Sequence, residues 1–254
     1  MTYSRRKFLE HALMATAAIT APRWASAQMA TLESVGYLSR RLDITHAQFR
    51  AWYINHHAVD FLSFAKPHMV RYTQDYVERV HMGDGSFDVI SHFGWRSAED
   101  RATVLKFMGS PEGKAVMALH PRLGTKPGPY EDHSGSRTYS ITERLVAGPA
   151  RTYDPPATSK QVALLRRKDT TPEGFLRAAN NYAGNIFNRA KGAAERVTIN
   201  FAVPEPERPA PFHDAQVMVW PKNGTNLAGV MQGPMDGIEI AAVISLVSYD
   251  TNLG

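Results

Sequence analysis

Two adjacent histidines, His56 and His57, close a stretch in which aromatic rings and imidazoles recur at helical spacing: Phe49-Arg50-Ala51-Trp52-Tyr53-Ile54-Asn55-His56-His57-Ala58-Val59. On a helix, His57 shares a face with Tyr53 four residues earlier and with Asp60 three residues later, while His56 lies with Trp52 and Phe49. An imidazole with an ordinary pKa of about 6.5 exchanges protons at neutral pH, which makes His57 a candidate general acid or base. Asp60 beside it could fix the tautomer. The plain alternative is a helix histidine bonded to a backbone carbonyl.

Further along, Met69 to Val80 is rich in Tyr, Val and Thr and reads as a strand, as does Phe87 to Trp95 after the turn Gly83-Asp84-Gly85. Alternation places Tyr72, Gln74 and Tyr76 on one face of the first strand, and Ile90, His92 and Gly94 on one face of the second. If the first set faces a central cavity, it supplies phenolic donors and an aromatic wall. Tyr72 then orients or protonates a substrate oxygen, or else is a core tyrosine with a backbone partner. His68 falls near the mouth of such a cavity, or on a solvated loop. Phe93 and Trp95 read as core.

Histidines 56, 57, 68, 81 and 92 crowd one region and raise the question of a metal. There is no HExxH, no cysteine ligand and no His pair at i, i+4, so no metal is expected, although His56 or His57 with His92 and Asp60 could form a two-histidine, one-carboxylate set. No Walker loop is present, and no Gly-x-Gly-x-x-Gly opens a helix, so no nucleotide cofactor is expected.

The elements that must position these groups occur twice. A shift of 126 positions aligns Leu38, Arg40, Arg41, Asp43, Thr45, Phe49 and Asn55 with Leu164, Arg166, Arg167, Asp169, Thr171, Phe175 and Asn181. In both copies an apolar run ends in Arg-Arg and reaches a Thr suited to cap a helix. The first copy reads as strand Val35 to Leu38, helix Thr45 to Ala65, the two strands above, a helical region Ser97 to His120 broken at Gly109-Ser110-Pro111, and strand Thr138 to Val146. The second reads as strand Gln161 to Arg167, helix Thr171 to Lys191, strands Arg196 to Pro204 and Ala215 to Trp220, a reduced helix near Leu227, and strand Ile238 to Tyr249. This order predicts an α+β fold: two ferredoxin-like βαββαβ halves, residues 28–147 and 161–254, joined by a Pro-rich linker at 148–160. Their two sheets are expected to cover each other as a single-chain pseudo-dimeric α+β barrel with a pocket between them.

Residues 1–27 read as a twin-arginine export signal. Arg5 and Arg6 precede Lys7-Phe8-Leu9, a short Ala/Thr-rich run and a small-residue site at Ala25-Ser26-Ala27. The predicted partner of Arg5 and Arg6 is the twin-arginine export machinery, and the predicted location is the periplasm. The run is too short to anchor in a bilayer. Of 29 basic and 24 acidic residues in the whole chain, the segment removes Arg5, Arg6, Lys7, Arg23 and Glu10, leaving 25 against 23. That balance leaves no footprint for nucleic acid. With no cysteine, the fold rests on buried apolar surface.

The helix motif, read as Phe, two residues, an aromatic pair, three residues and His-Ala, resembles the signature of EthD-type proteins in the dimeric α+β-barrel superfamily. The resemblance extends to Val70-Arg71-Tyr72 and Ser110-Pro111-Glu112-Gly113 and covers about Val35 to Val146. It implies a cofactor-independent pocket for hydrophobic or aromatic molecules, with dehydration, decarboxylation and ring chemistry among the family's reactions. In the second copy Trp52, Tyr53, His56 and His57 align with Ala178, Ala179, Tyr182 and Ala183, so one site and one scaffold half are expected. The leading expectation is an exported lyase-type enzyme. His57, Asp60 and Tyr72 are its catalytic residues, and Trp52, Tyr53, His56, His68, Gln74, Tyr76 and His92 bind substrate. Alternatives are a non-catalytic periplasmic binding protein and a metal-dependent oxygenase; a homodimer is possible in each case.

Overall fold

The computed structural model describes residues 32–40, 43–83, 85–118, 138–150, 154–155, 157–205, 211, 213–233, 235–251 and 253. The proposed export segment lies outside these residues. Eight strands appear: β1 (Leu32–Leu38), β2 (Met69–Gly83), β3 (Val89–Trp95), β4 (Thr138–Ala147), β5 (Thr158–Arg167), β6 (Ala194–Val203), β7 (Ala215–Pro221) and β8 (Ile238–Thr251). They close into one antiparallel barrel in the order β1-β3-β2-β8-β5-β7-β6-β4.

This closure corrects the expected fold. Two ferredoxin-like halves with facing sheets and a pocket between them do not form; a single continuous sheet closes on itself. The deciding contacts are two seams, β2 with β8 from Tyr72↔Thr251 to Gly83↔Ala242, and β4 with β6 from Ser140↔Val203 to Ala147↔Val197. Hydrogen bonding along both seams satisfies strand edges that would otherwise stand open, and a closed barrel has none. Gly83 is needed where β2 ends. Its φ is +76°, and a Cβ there would lie 1.8 Å from the Ala241 carbonyl oxygen.

Thr45 caps the first helix as its spacing to Gln48 suggests. Its hydroxyl accepts the Gln48 N–H at 3.2 Å, and the Gln48 side chain accepts the Thr45 N–H at 2.8 Å. Helix α1 (His46–Trp52) then passes through a π turn, Tyr53–His57, into α2 (Ala58–Ala65). Tyr53 and His57 are the buried residues of the π turn, and the extra residue it holds shifts the inward face so that α2 resumes with Ala58, Phe61 and Ala65 buried. Helices α3 (Ala98–Gly109) and α4 (Pro111–Ala118) break at Ser110, as the Gly-Ser-Pro sequence requires. Helix α5 (Pro172–Arg189), capped by Thr171, and the single turn α6 (Ala228–Met231) complete the chain. Among the described residues no helix is long and apolar enough to cross a membrane.

The strand corners of the two copies match each other one residue out of step with the sequence alignment, Leu38 and Arg40 corresponding to Leu165 and Arg167, where β5 carries a register irregularity at Leu164/Leu165. Asp88 donates its N–H to the Leu38 carbonyl and accepts the Arg40 N–H at 2.6 Å; Asp214 does the same with the Leu165 carbonyl and the Arg167 N–H at 2.7 Å.

Candidate active site

Because the sheet is closed, each strand has an inner face toward the barrel axis and an outer face, much of it beneath helices. In β2, Tyr72, Gln74 and Tyr76 turn outward, and Thr73 and Asp75 turn inward. The two sets therefore belong to different environments.

The outer set meets the α1–α2 helix. Tyr53 and Tyr72 are fully buried, and the Tyr53 and Ser91 hydroxyls are 2.9 Å apart. Burial holds the Tyr53 phenol above its ordinary range, with the Ser91 hydrogen bond opposing. The Tyr72 phenol is pushed well above it, by burial first and then by Tyr53. Both phenols therefore keep their protons at neutral pH and can donate hydrogen bonds. The His57 ring lies over Tyr53 with centroids 4.4 Å apart and meets Trp52 at 5.8 Å; 8 % of His57 is exposed. Tyr76 donates to Gln74 at 2.5 Å, which fixes its ring edge-on to Tyr53 at 6.1 Å. The layer thus unites Trp52, Tyr53, His57, Tyr72, Gln74 and Tyr76 with Ser91.

Other residues singled out from the sequence lie elsewhere. His56 is exposed, and Asp60 is half-exposed on α2, three residues beyond His57. His68 sits half-exposed at the end of the helical segment, its Nδ1 2.6 Å from an Asp100 carboxylate oxygen, and so ties that end to α3. His92 faces inward, on the opposite side of the sheet from Tyr72 and Ser91.

Inside the barrel, His92 belongs to a buried ionic chamber to which all eight strands contribute. Arg71 reaches Glu33 at 3.0 Å and Glu143 at 3.7 Å; Arg196 reaches Glu143 at 3.5 Å. The Lys160 ammonium lies between Asp75 at 3.2 Å and Asp154 at 3.1 Å, and His92 Nε2 is 3.3 Å from the second Asp75 oxygen. Trp220 carries Arg196 over its ring at 4.3 Å and donates its indole N–H to Asp154 at 2.9 Å; Asp250 accepts the Asp154 N–H. Burial works to raise the Asp75 pKa, but Lys160 and His92 hold it below the usual carboxylate range; Lys160 is raised because Asp75 and Asp154 outweigh its own burial. For Glu33, burial outweighs Arg71 and the pKa rises. The free space at the centre, about 10 Å³ for a water's centre, suits one water and no aromatic substrate. The other end of the interior joins Val35, Ile90, Val162, Leu164 and Ile244 to a buried polar set in which Tyr139 meets Tyr37, Gln216 donates to Tyr37, and Asn200 donates to Gln216 at 3.3 Å.

Sequence reasoning missed Ser91 and most of the chamber. Ser91 pairs with Gln74 across β2 and β3, so placing Gln74 on the helix side also places Ser91 there. Asp75 and Lys160 do not stand out in the sequence, because β2 also carries Arg71, Glu78 and Arg79 and β5 also carries Arg166 and Arg167.

No family model and no curated protein sequence matches this chain. Among solved structures, it is similar to a putative monooxygenase from Fusobacterium nucleatum, with a TM-score of 0.51 and 11 % identity over 89 % of this chain and 96 % of that one. An anthrone oxidase-like protein gives a TM-score of 0.49 at 12 % identity over 90 % and 95 %, and a putative chlorite dismutase 0.44 at 11 % over 88 % and 95 %. The first likeness, at 11 % identity, shows a shared fold and nothing finer; no EthD family model matches the chain.

Proposed function

We propose that the chain is an exported, cofactor-independent enzyme that moves protons on a small hydrophobic or aromatic substrate, in a lyase-type elimination, decarboxylation or rearrangement. The observation that carries this reading is the His57 imidazole stacked 4.4 Å from the buried Tyr53 ring, whose hydroxyl meets Ser91 in the same layer as Tyr72. In an elimination, His57 takes a proton from carbon, and the electron pair moves toward a carbonyl oxygen. That oxygen receives hydrogen bonds from phenols that stay protonated. The enolate then collapses, its pair forms the carbon–carbon double bond as the bond to the leaving group on the adjacent carbon breaks, and the imidazolium returns its proton to that departing group. Asp60 orients the imidazole, and Trp52, Gln74 and Tyr76 shape the wall.

The test is turnover of a panel of aromatic hydroxy and keto acids by wild type, His57→Ala and His57→Gln, followed by mass spectrometry. Both variants should lose roughly 10²- to 10⁴-fold in rate, the usual share of a general acid or base. Full activity in either would sink the assignment. Retention of a ligand without chemical change would favour the binding-protein reading. Activity that followed metal content would favour an oxygenase, a reading to which the fold of the putative monooxygenase lends its name only.

A further inference from the structure

Asn223-Gly224 is the single Asn-Gly pair in the sequence. It sits in the turn Lys222–Gly224 between β7 and α6, where residues 222–226 are all exposed. The connection is tied at both ends: the Lys222 N–H donates to the Ala193 carbonyl at 2.7 Å, and the Leu227 N–H to the Gln161 side-chain oxygen at 2.8 Å. Between those ties Asn223 and Gly224 both hold positive φ, +51° and +68°, a conformation that asparagine tolerates and glycine adopts freely. Among the described residues nothing hydrogen-bonds the Asn223 side-chain amide, and a Cβ placed on Gly224 would meet nothing within 4 Å. Asparagines elsewhere are held. Asn200 is buried against Gln216, Asn180 donates to the Leu176 carbonyl at 2.7 Å within α5, and Asn226 accepts the Ala228 N–H at 3.0 Å and precedes the bulky Leu227.

We propose that Asn223 is a self-modification site, at which the chain deamidates through a cyclic imide. The Gly224 backbone nitrogen gives up its proton to base and attacks the Asn223 side-chain carbonyl carbon. A new carbon–nitrogen bond closes a five-membered ring while the bond to the amide nitrogen breaks, and that nitrogen takes up a proton and leaves as ammonia. Water then opens the ring at either carbonyl, giving aspartate or isoaspartate. Nothing is oxidised or reduced, and water is the co-reactant. Ring closure requires rotation about the Asn223 ψ, which stands at +34°, and the exposed turn with an uncrowded glycine allows it. The product sets a carboxylate beside Lys222. Isoaspartate also adds a methylene to the backbone, inside a turn closed by the Thr225 N–H on the Lys222 carbonyl at 3.0 Å.

The experiment ages the full chain in mildly alkaline buffer and follows it by intact mass, peptide mapping and enzymatic methylation of isoaspartate. The expected result is the mass gain of an amide-to-acid exchange in the peptide that holds Asn223, with isoaspartate outweighing aspartate. Its rate should climb with pH, because the attacking nitrogen must lose its proton. Asn223→Gln should stay unchanged over the same period, since its ring would need six members. Gly224→Ala, which crowds the attacking nitrogen, should slow the gain roughly tenfold, equivalent to about 1.4 kcal/mol of barrier. Asn223 intact while another asparagine converts, aspartate as the sole product, or an undiminished gain in Asn223→Gln would each overturn the proposal. Conversion in denaturant but not in the folded chain would overturn it as well, because the turn would then protect the pair.

Discussion

The two long helices of the repeat lie on the same kind of strand surface, yet one covers polar groups and the other does not. Both begin with a Thr cap and bury a phenylalanine in the first turns, Phe49 in one and Phe175 in the other. Beyond that point Tyr53 and His57 are buried in the first, whereas α5 buries Ala179, Tyr182, Ala183 and Ile186 among Val197, Ile199, Val217 and Val219. The one buried hydroxyl there, on Tyr182, is spent on the Met231 backbone carbonyl. In the first layer the hydroxyls of Tyr53 and Ser91 face each other, and an imidazole lies against the Tyr53 ring. A scaffold that needs only stability fills such a layer with alkyl groups; keeping an imidazole and phenols there costs desolvation, which is the physical ground on which the site is proposed.

The sharpest way to break the contrast is to give the dry layer an imidazole. Ala183→His should destabilise the protein by about 3 kcal/mol or more, through overpacking and an unbonded polar ring, measured by denaturant melting. A change within 0.5 kcal/mol would mean that the second layer has room and is not a packed scaffold. A milder comparison removes one hydroxyl from each layer. Tyr182→Phe and Tyr53→Phe should each cost about 1 kcal/mol, but only Tyr53→Phe should slow turnover. The smallest effect is in alkali. The phenols of Tyr53, Tyr72, Tyr76 and Tyr182 are all raised, burial being the main cause, and Tyr37 is pushed up to about 12. A group raised on folding lends stability that is complete below its unfolded value, near 10, and is lost as pH climbs through the folded value. The fold should therefore loosen above about pH 10, with tyrosinate absorbance rising in step with loss of near-ultraviolet dichroism. Tyr72→Phe should raise that midpoint more than Tyr182→Phe does.

Element order was legible in the sequence because it is written locally. The Thr45–Gln48 capping box, the Gly109-Ser110-Pro111 break and the Arg-Arg strand ends all act over a few residues. Closure of the barrel was not, because it depends on β2 meeting β8 across most of the chain, in a register that no local pattern encodes. The site was legible where a helix carries it: the i, i+4 relation of Tyr53 and His57 survives the π turn. It was illegible on β2, where Tyr72, Thr73, Gln74, Asp75 and Tyr76 are all buried. Alternation separates two faces but says which is inner only when one of them meets water, and here both are covered. His92 and Ser91 parted company for the same reason.

The place of β8 in the barrel sets a timetable for the chain. This strand, Ile238–Thr251, lies between β2 and β5 and hydrogen-bonds to both, yet the ribosome delivers it after the other seven. Until it emerges, the long outer edge of β2 has no neighbour. A nascent chain can assemble its local hairpins and helices, but the ring stays open until β8 arrives. Products that stop short of Ile238 would carry two bare strand edges and should aggregate as they form, so the arrival of this one strand decides between a closed barrel and a sticky sheet.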